Sequence, residues 1–185
     1  MAVTFAAKSD RRPPPPLDAA ALERLALRYV ERFATTRGKL ADYLMRKIRE
    51  RGWEGEPADP RALAQRMADL GYVDDRLYAE SKAAALGRRG LGARRVTAAL
   101  RQARVGQADA DDLAPAIEQR AGETALTFAR RKRIGPFGPP DPDRALRDRQ
   151  FAAMMRAGHG FEVSRRIVLA RDPTDIADIL GEESS

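Results

Sequence analysis

Residues Gly71–Glu80 read GYVDDRLYAE, in which two adjacent aspartates separate an apolar pair from residues with helically spaced apolar positions. Asp74 is placed to be the N-cap of the following helix, because an Asp side chain accepts hydrogen bonds from the free amides of a first helical turn. Asp75 next to it suits the positive end of the helix dipole. The stretch therefore predicts that one helix ends at Gly71 and that the next begins at the aspartates.

Asp74 and Asp75 have a second interpretation, a metal-dependent nuclease that would use both carboxylates as ligands. The sequence offers no companion spacing such as H-E-x-x-H or a D-x-D-x-D-G loop. It has no cysteine, and its one histidine, His159, lies between two glycines, so no catalytic triad can be assembled. We therefore predict no catalytic residue, no metal site and no cofactor, and we interpret the aspartates as structural.

The composition favours an all-α protein. Aromatic residues make up 6% of the 185 residues and hydrophobic residues 43%, while alanine, leucine and arginine dominate, so few residues are available to fill a sheet. No run approaches the roughly 18 apolar residues that a membrane span needs, and the N-terminus has charge and proline where a signal peptide has its apolar segment. Together with the absence of cysteine, these features predict a cytoplasmic protein without a membrane partner.

Sets of three apolar residues with similar spacing recur along the chain, one before Gly71–Glu80 and two after it. The matching triplets are Leu44, Ile48 and Trp53; Val96, Leu100 and Val105; and, after one inserted residue, Phe151, Met155 and Phe161. A period of about fifty residues is typical of helical repeats, which stack because a single repeat cannot bury its apolar face alone. We therefore predict an elongated tandem array of three-helix repeats, with three repeats in all.

The domain boundaries follow from this period and from the breaker residues. The predicted segments are a disordered Pro-rich arm at 1–16, repeats at 17–71, 72–122 and 123–171, and an acidic tail at 172–185. A loop rich in proline and glycine, residues 134–142, interrupts the third repeat. The stretch GRRGLG, Gly87–Gly92, lacks the Lys-Ser ending of a phosphate-binding loop and is interpreted as a helix-to-helix turn.

Basic residues are concentrated in two places. The net charge is +7, and no acid occurs between Glu80 and Asp109; the second cluster is the run ARRKRIG. On a helix through Val96 and Leu100, the basic positions fall on the opposite, outward face. Arginine binds phosphate and carboxylate through its bidentate fork, so we predict contacts to nucleic acid or to an acidic protein surface. The candidates are Arg88, Arg89, Arg94, Arg95, Arg101, Arg104, Arg130, Arg131, Lys132 and Arg133.

Three stretches together resemble a known family. GYVDDRLYAE is followed by RRGLGARRVTAALRQARV, residues 88–105, and the pattern returns in FAAMMRAGHGFEVSRRIV, residues 151–168. This combination is similar to the RecX regulatory proteins of bacteria, which modulate the recombinase RecA. The resemblance spans residues 17–171, and its middle motif is the most specific part.

The resemblance implies an all-helical protein of tandem three-helix repeats that is not an enzyme. It also implies binding to RecA along the groove of its nucleoprotein filament on single-stranded DNA, which limits filament growth, ATP hydrolysis and strand exchange in recombination and DNA repair. Arg88, Arg89, Arg94 and Arg95 match the family's basic positions and are expected contacts. The matching motif residues are expected to be structural: Gly71, Tyr72, Asp74, Asp75, Tyr78 and Ala79.

One alternative from a different class stays open. A basic helical protein could bind DNA directly and act without RecA, since the concentrated positive charge suits either partner. Direct phosphate binding weakens steeply with salt, whereas a protein contact with an apolar centre weakens less. In both cases we expect a monomer.

Overall fold

The computed structural model describes residues 15–180, except for the side chains of residues 178 and 180. Within that range the chain is all-helical, as the composition predicts, and one isolated bridge joins Leu17 to Trp53. The α-helices are α1 Ala19–Arg32, α2 Arg37–Arg51, α3 Pro60–Asp69, α4 Asp75–Arg88, α5 Ala93–Gln102, α6 Gln107–Gln119, α7 Ala121–Lys132, α8 Arg144–Ala157 and α9 Phe161–Leu169. Most of the predicted arm, residues 1–14, and the end of the predicted tail, residues 181–185, lie outside the described residues.

Short polar side chains begin several of the helices. The predicted cap at Asp74 is confirmed, because its Oδ1 accepts a hydrogen bond from the Leu77 N–H at 2.8 Å. Asp18 caps α1 in the same way. Three of the described helices instead begin after a glycine, Gly92 for α5, Gly106 for α6 and Gly160 for α9, and have no side-chain cap. The free amides of these three helices therefore need partners from elsewhere.

Three apolar cores follow one another along the chain. The first group, α1–α3, is centred on Leu40, Leu44 and Met67. The second group, α4–α6, has a smaller core of Ala79, Val96 and Leu100. The third group, α7–α9, has a core that includes Met154 and Ile167. The cores agree with a helical array, and the count of three repeats stays a prediction.

The C-terminal segment differs from the predicted tail. Residues Pro173–Leu180 form a 3-10 helix, in which Ile176 is 2% exposed and Ile179 is 5% exposed. Both isoleucines belong to the core of the third group. The sequence prediction gave weight to the acidic residues around Ile176 and Ile179. It overlooked that these two apolar residues are three positions apart, a spacing that places them on the same side of a short 3-10 helix. The segment up to residue 180 is therefore part of the third group.

The predicted loop at 134–142 also contributes to this core. Ile134 is buried among the residues of α7–α9, and Gly135–Phe137 forms a single 3-10 turn. Pro139, Pro140 and Asp141 are exposed. The breaker residues thus lie between α7 and α8, while the first part of the loop packs against the third group.

The middle helices α2, α5 and α8 meet end to end. At the α2–α5 joint, the Thr36 hydroxyl donates a buried hydrogen bond to the Ala103 carbonyl at 2.6 Å and accepts one from the Lys39 N–H. Arg104 follows α5 in the left-handed region, with φ of 58°, and its Nε lies 3.1 Å from Asp42 Oδ2. The C-terminal end of α5 is therefore fixed to the N-terminal end of α2, which is a favourable order of helix dipoles.

Asp75 adds a partly buried ion pair, with Arg37 of α2, beside the α2–α5 joint. Its side chain accepts from the Arg37 N–H at 2.8 Å through Oδ1 and from the Arg37 Nε at 3.3 Å through Oδ2. Arg37 also contacts Asp109 on α6 and Gln65 on α3. Asp75 is only 6% exposed. The carboxylate thus stabilises the start of α2 in addition to lying in the first turn of its own helix.

The α5–α8 joint is built mainly from backbone. The N–H groups of Gly92 and Arg94 donate to the carbonyl oxygens of Ala157 and Gly158, at 3.0 and 3.3 Å. Gly158 itself ends α8 in the left-handed region, with φ of 93°. A Cβ added to Gly92 would lie 2.5 Å from the Gly158 carbonyl carbon, so only glycine permits this approach. The carbonyls at the end of α8 therefore replace the missing side-chain cap of α5.

Candidate partner-binding surface

The predicted structural motif lies at the α2–α5 joint and in the second core. Ala79 is completely buried, and Gly71 has a φ of 81°, which favours glycine. Tyr78 packs beneath two ammonium groups, those of Lys39 and Lys82, which lie 5.8 and 5.7 Å from its ring centroid. Tyr72 differs from the others, because 54% of it is exposed to solvent. Packing therefore explains most of the motif, but not Tyr72.

Both aspartates of the motif have structural partners. Asp74 caps α4, and both carboxylate oxygens of Asp75 accept hydrogen bonds from Arg37. In the described part of the chain, no group of three or more His, Asp and Glu side chains is arranged to hold a metal ion. The geometry at these two residues is that of a helix start fixed to a neighbouring helix.

Two of the predicted contact residues have intramolecular roles. Arg94 Nη2 donates to the His159 carbonyl at 2.6 Å across the α5–α8 joint. Arg104 pairs with Asp42 across the α2–α5 joint. The helical period predicts that Arg94 and Arg104 face outward, and both side chains do reach the surface. Their partners come from residues more than sixty positions away, which local periodicity does not reveal.

Arg88, Arg89 and Arg101 remain available for a partner. Arg88 ends α4, Arg89 follows it in the turn to α5, and Arg101 lies near the end of α5. All three are exposed, and none has an ion pair or a side-chain hydrogen bond within residues 15–180. Exposed cations without partners are suited to an anionic surface.

The second basic cluster ends α7. Arg130 lies over the Phe137 ring and Arg131 over the Phe128 ring, at 5.4 and 5.7 Å from the centroids. Arg133 follows the helix in the left-handed region. All four cations of the run, including Lys132, are exposed. Positive charge here also complements the negative end of the α7 dipole.

The structure joins the two clusters in a groove between α5, α7 and α8. Arg95 from the first cluster and Lys132 from the second line an open concavity of about 580 Å³. Arg149 and Arg156 of α8 complete it. We call this concavity the basic groove; its other lining residues are Leu91, Phe128, Ile134, Leu146, Gln150, Ala153 and Ala157.

Sequence reasoning missed Arg149 and Arg156. Their separation of seven residues, two helical turns, was the available signal that both lie on one face of α8. Acids at positions 141, 143 and 148 lie nearby in the sequence, so this region does not stand out as a cluster of positive charge. Folding separates them from the groove, because none of the described residues that line it is acidic.

His159 lies buried at the α5–α8 joint. The side chain is 2% exposed, its ring centroid is 5.3 Å from that of Phe128, and neither ring nitrogen has a hydrogen-bond partner in the part of the chain that the structure describes. Burial lowers the pKa of His159 from 6.5 to about 4, even though the nearby Gly90 backbone opposes that shift. The imidazole is therefore neutral at physiological pH, and it acts as a packing residue.

These features define a class of protein: an all-helical array whose middle helices join end to end and whose surface presents cations without partners. Among the described residues, no helix is long and apolar enough to cross a membrane. Over 156 residues the chain is 32% identical to the regulatory protein RecX of Myxococcus xanthus. The aligned residues make up 80% of this chain and 83% of that protein. It is 29% identical over 163 residues to the regulatory protein RecX of Agrobacterium fabrum, covering 85% and 86% of the two chains.

The chain belongs to the RecX family of regulatory proteins. This confirms the resemblance inferred from the opening motif and its companions. No family model and no solved structure matches the chain.

Proposed function

We propose that this chain is a non-enzymatic regulator that binds the recombinase RecA and its nucleoprotein filament on single-stranded DNA. In this proposal it inhibits filament growth, ATP hydrolysis and strand exchange, and so limits recombination during DNA repair. The observation that carries the proposal is the set of exposed arginines in the acid-free stretch 81–108 on a chain of the RecX family. The protein works as a cytoplasmic monomer without a cofactor.

Differential affinity is the physical basis of the proposed inhibition. A protein that binds one filament state, or a filament end, more tightly shifts assembly by no more than that preference. The two joints support this role, because they fix α2, α5 and α8 relative to one another through named hydrogen bonds. Cations on successive helices are thereby held at fixed spacing, which suits a partner with a regular surface.

The proposal is tested by measuring binding to fluorescent single-stranded DNA with and without RecA from the same organism and a non-hydrolysable ATP analogue. RecA ATPase activity is then followed across a titration of the protein. We expect binding that depends on the filament, and depressed ATPase at substoichiometric protein. Equal binding to bare DNA together with unchanged ATPase would contradict the proposal.

A charge-neutralising variant locates the contact surface. Replacing Arg88, Arg89 and Arg101 by Gln removes exposed cations that have no ion pair or side-chain hydrogen bond within residues 15–180, so filament affinity should fall by about tenfold or more while stability is unchanged. The matched control replaces Arg24, Arg28 and Arg49, which are exposed on the first group and carry the same charge. An equal loss in both variants would mean that net charge, rather than this surface, determines binding.

The acid-free basic stretch 81–108 favours one alternative, a protein that binds DNA directly and acts without RecA. Its exposed arginines Arg88, Arg89 and Arg101 suit a phosphate backbone as well as a carboxylate surface. Salt dependence separates the two functions, since the affinity of a phosphate-binding protein falls by several orders of magnitude between about 50 and 200 mM salt. A shallow salt dependence would favour the contact with RecA.

A further inference from the structure

We propose that the basic groove is a docking site for an acidic peptide segment of a partner protein, whose aliphatic side chains enter the groove while its carboxylates meet the cations. This inference rests on the proposed function, because the groove is proposed as the site at which the chain contacts its protein partner. It assigns the groove to a peptide and leaves nucleic acid to the other exposed cations.

The cations of the groove stand on two sides. Arg149 and Arg156 are separated by two turns of α8, so their Cα atoms lie about 10 Å apart along one face. Arg95, in the first turn of α5, and Lys132, the last residue of α7, belong to the other two helices that line the groove. This spacing matches carboxylates that are placed two turns apart on a bound helix.

The charge of the groove is not compensated within the described part of the chain. Arg95, Lys132, Arg149 and Arg156 are exposed and have no ion pair or side-chain hydrogen bond there. Gln150 already uses its Oε1 to accept the Gly135 N–H at 3.3 Å. Among the described residues, the groove therefore offers four cations that are free to pair with an anion.

The apolar part of the groove indicates the kind of anion. Leu91, Leu146 and Ala153 line it and are half-buried, so a bound segment would cover aliphatic surface. Helices that dock in grooves do so through apolar anchors of this kind, surrounded by charge. A phosphate backbone would set polar groups against these side chains and leave them without compensation.

Nucleic acid also lacks a stacking platform in the groove. Binding of single strands relies on exposed aromatic faces, on which successive bases stack. The aromatic residue that lines the groove, Phe128, is only 7% exposed, and the guanidinium of Arg131 lies 5.7 Å from its ring centroid. The groove thus provides cations and aliphatic surface without an aromatic face, which favours a peptide over a single strand.

The direct test uses a fluorescein-labelled 16-residue helical peptide that carries Glu on one face with Leu beside it, and follows its anisotropy with the full-length protein. The comparison probes are the same peptide with every Glu replaced by Gln and a 16-nucleotide oligo-dT. We expect the acidic peptide to bind at least tenfold more tightly than either comparison probe. An oligo-dT that binds as tightly as the acidic peptide would overturn the assignment.

Two variants locate the binding in the groove. Replacing Arg149 and Arg156 by Gln should weaken the acidic peptide at least tenfold, whereas Arg24→Gln with Arg28→Gln on α1 should change its affinity less than twofold. Ala153→Glu places a carboxylate within reach of both α8 arginines, since Arg149 lies four residues before it and Arg156 three residues after it, and should block the peptide while the helix stays intact. Unchanged affinity in both groove variants would overturn the proposal.

Filament binding separates this inference from the proposed function. If the wild-type protein binds no RecA filament, the proposed function fails irrespective of the peptide result. If the wild type binds the filament and the Arg149 and Arg156 variant binds it equally well, the function stands and the groove is not its protein contact.

Discussion

The α2–α5 and α5–α8 joints bring equivalent helix ends together by different chemistry. At the α2–α5 joint each polar contact involves a side chain, namely the Thr36 hydroxyl and the ion pairs of Asp75 and Arg104, while Gly38 of α2 lies close against Arg104. At the α5–α8 joint the backbones touch, and Gly92 donates to a carbonyl at the end of α8. The same arrangement of helix ends therefore does not require the same residues.

The two joints should respond to different perturbations. Side chains rotate and are screened by salt, so the α2–α5 joint should respond to charge and ionic strength. Backbone in close contact has no room to adjust, so the α5–α8 joint should respond to added volume. The buried imidazole of His159 gives the α5–α8 joint a further sensitivity, to acid.

The largest expected effect is that of Gly92→Ala. The new Cβ would lie 2.5 Å from the carbonyl carbon and oxygen of Gly158, and the free energy of unfolding should fall by about 3 kcal/mol. Urea denaturation measures this loss. The matched control is Gly160→Ala, because Gly160 also precedes a helix with similar backbone angles, and its Cβ would meet only Val163, at 3.8 Å.

Gly160→Ala should cost no more than about 1 kcal/mol, the ordinary cost of alanine at an N-cap. Similar losses in the two variants would mean that the close backbone approach at Gly92 does not limit the α5–α8 joint.

A drop in pH should weaken the α5–α8 joint next most strongly. The pKa of His159 is lowered from 6.5 to about 4 in the folded chain, so the unfolded chain binds a proton in that window and the folded chain does not. The free energy of unfolding should therefore decrease by about 2 kcal/mol between pH 7 and pH 5. Urea denaturation at both pH values measures it.

His159→Gln is the control for the pH effect, because glutamine does not titrate. The variant should lose less stability than the wild type over the same pH range, even if it is less stable at pH 7. Identical pH dependence in the two proteins would assign the acid sensitivity to other groups.

Asp75→Asn tests the ion pair of the α2–α5 joint. Asparagine can still accept the Arg37 N–H, but it removes the charge opposite the Arg37 guanidinium, so the free energy of unfolding should fall by about 1.5 kcal/mol. Asp74→Asn is the matched neighbour, since asparagine caps helices as well as aspartate does, and it should be nearly neutral. Thermal denaturation compares the two variants.

The double Asn variant at positions 74 and 75 also addresses the nuclease alternative. We expect that neither the wild-type protein nor the variant cleaves DNA in the presence of metal ions. Metal-dependent cleavage by the wild type that is lost in the variant would support the nuclease alternative.

Arg104→Ala should have the smallest effect. The pair with Asp42 is exposed to solvent, and such pairs contribute about 0.5 kcal/mol. This loss should disappear in 1 M NaCl, where charges are screened within about 3 Å. The loss in Gly92→Ala should persist at the same salt concentration, and a salt-insensitive Arg104→Ala would remove the proposed distinction between the joints.

Local patterns predicted the helices and several of their ends. The cap at Asp74 and the turn after α4 depend on neighbouring residues, and the structure has both as predicted. The position of His159 beyond a helix end was also evident from its flanking glycines. Its burial was not, because Phe128 comes from a different helix.

Long-range contacts account for what the sequence did not reveal. Asp75 and Arg37 are 38 residues apart, and Arg104 and Asp42 are 62 apart, so no local period links them. The basic groove likewise combines residues of α5, α7 and α8. Charge clustering in the sequence indicated Arg95 and Lys132. It did not indicate Arg149 and Arg156, because acids lie near them in the sequence but not among the residues that line the groove.

The end-to-end joints also set an order for synthesis on the ribosome. Thr36 meets Ala103, which lies 67 residues later, and the start of α5 meets α8, whose Gly158 lies further along still. At about 5–20 residues per second, the start of α2 emerges roughly 3–13 s before its partner has been made. The starts of α2 and α5 are thus completed by the group translated after each of them, and a chain stopped early would leave such a helix start open to chaperones or to premature association.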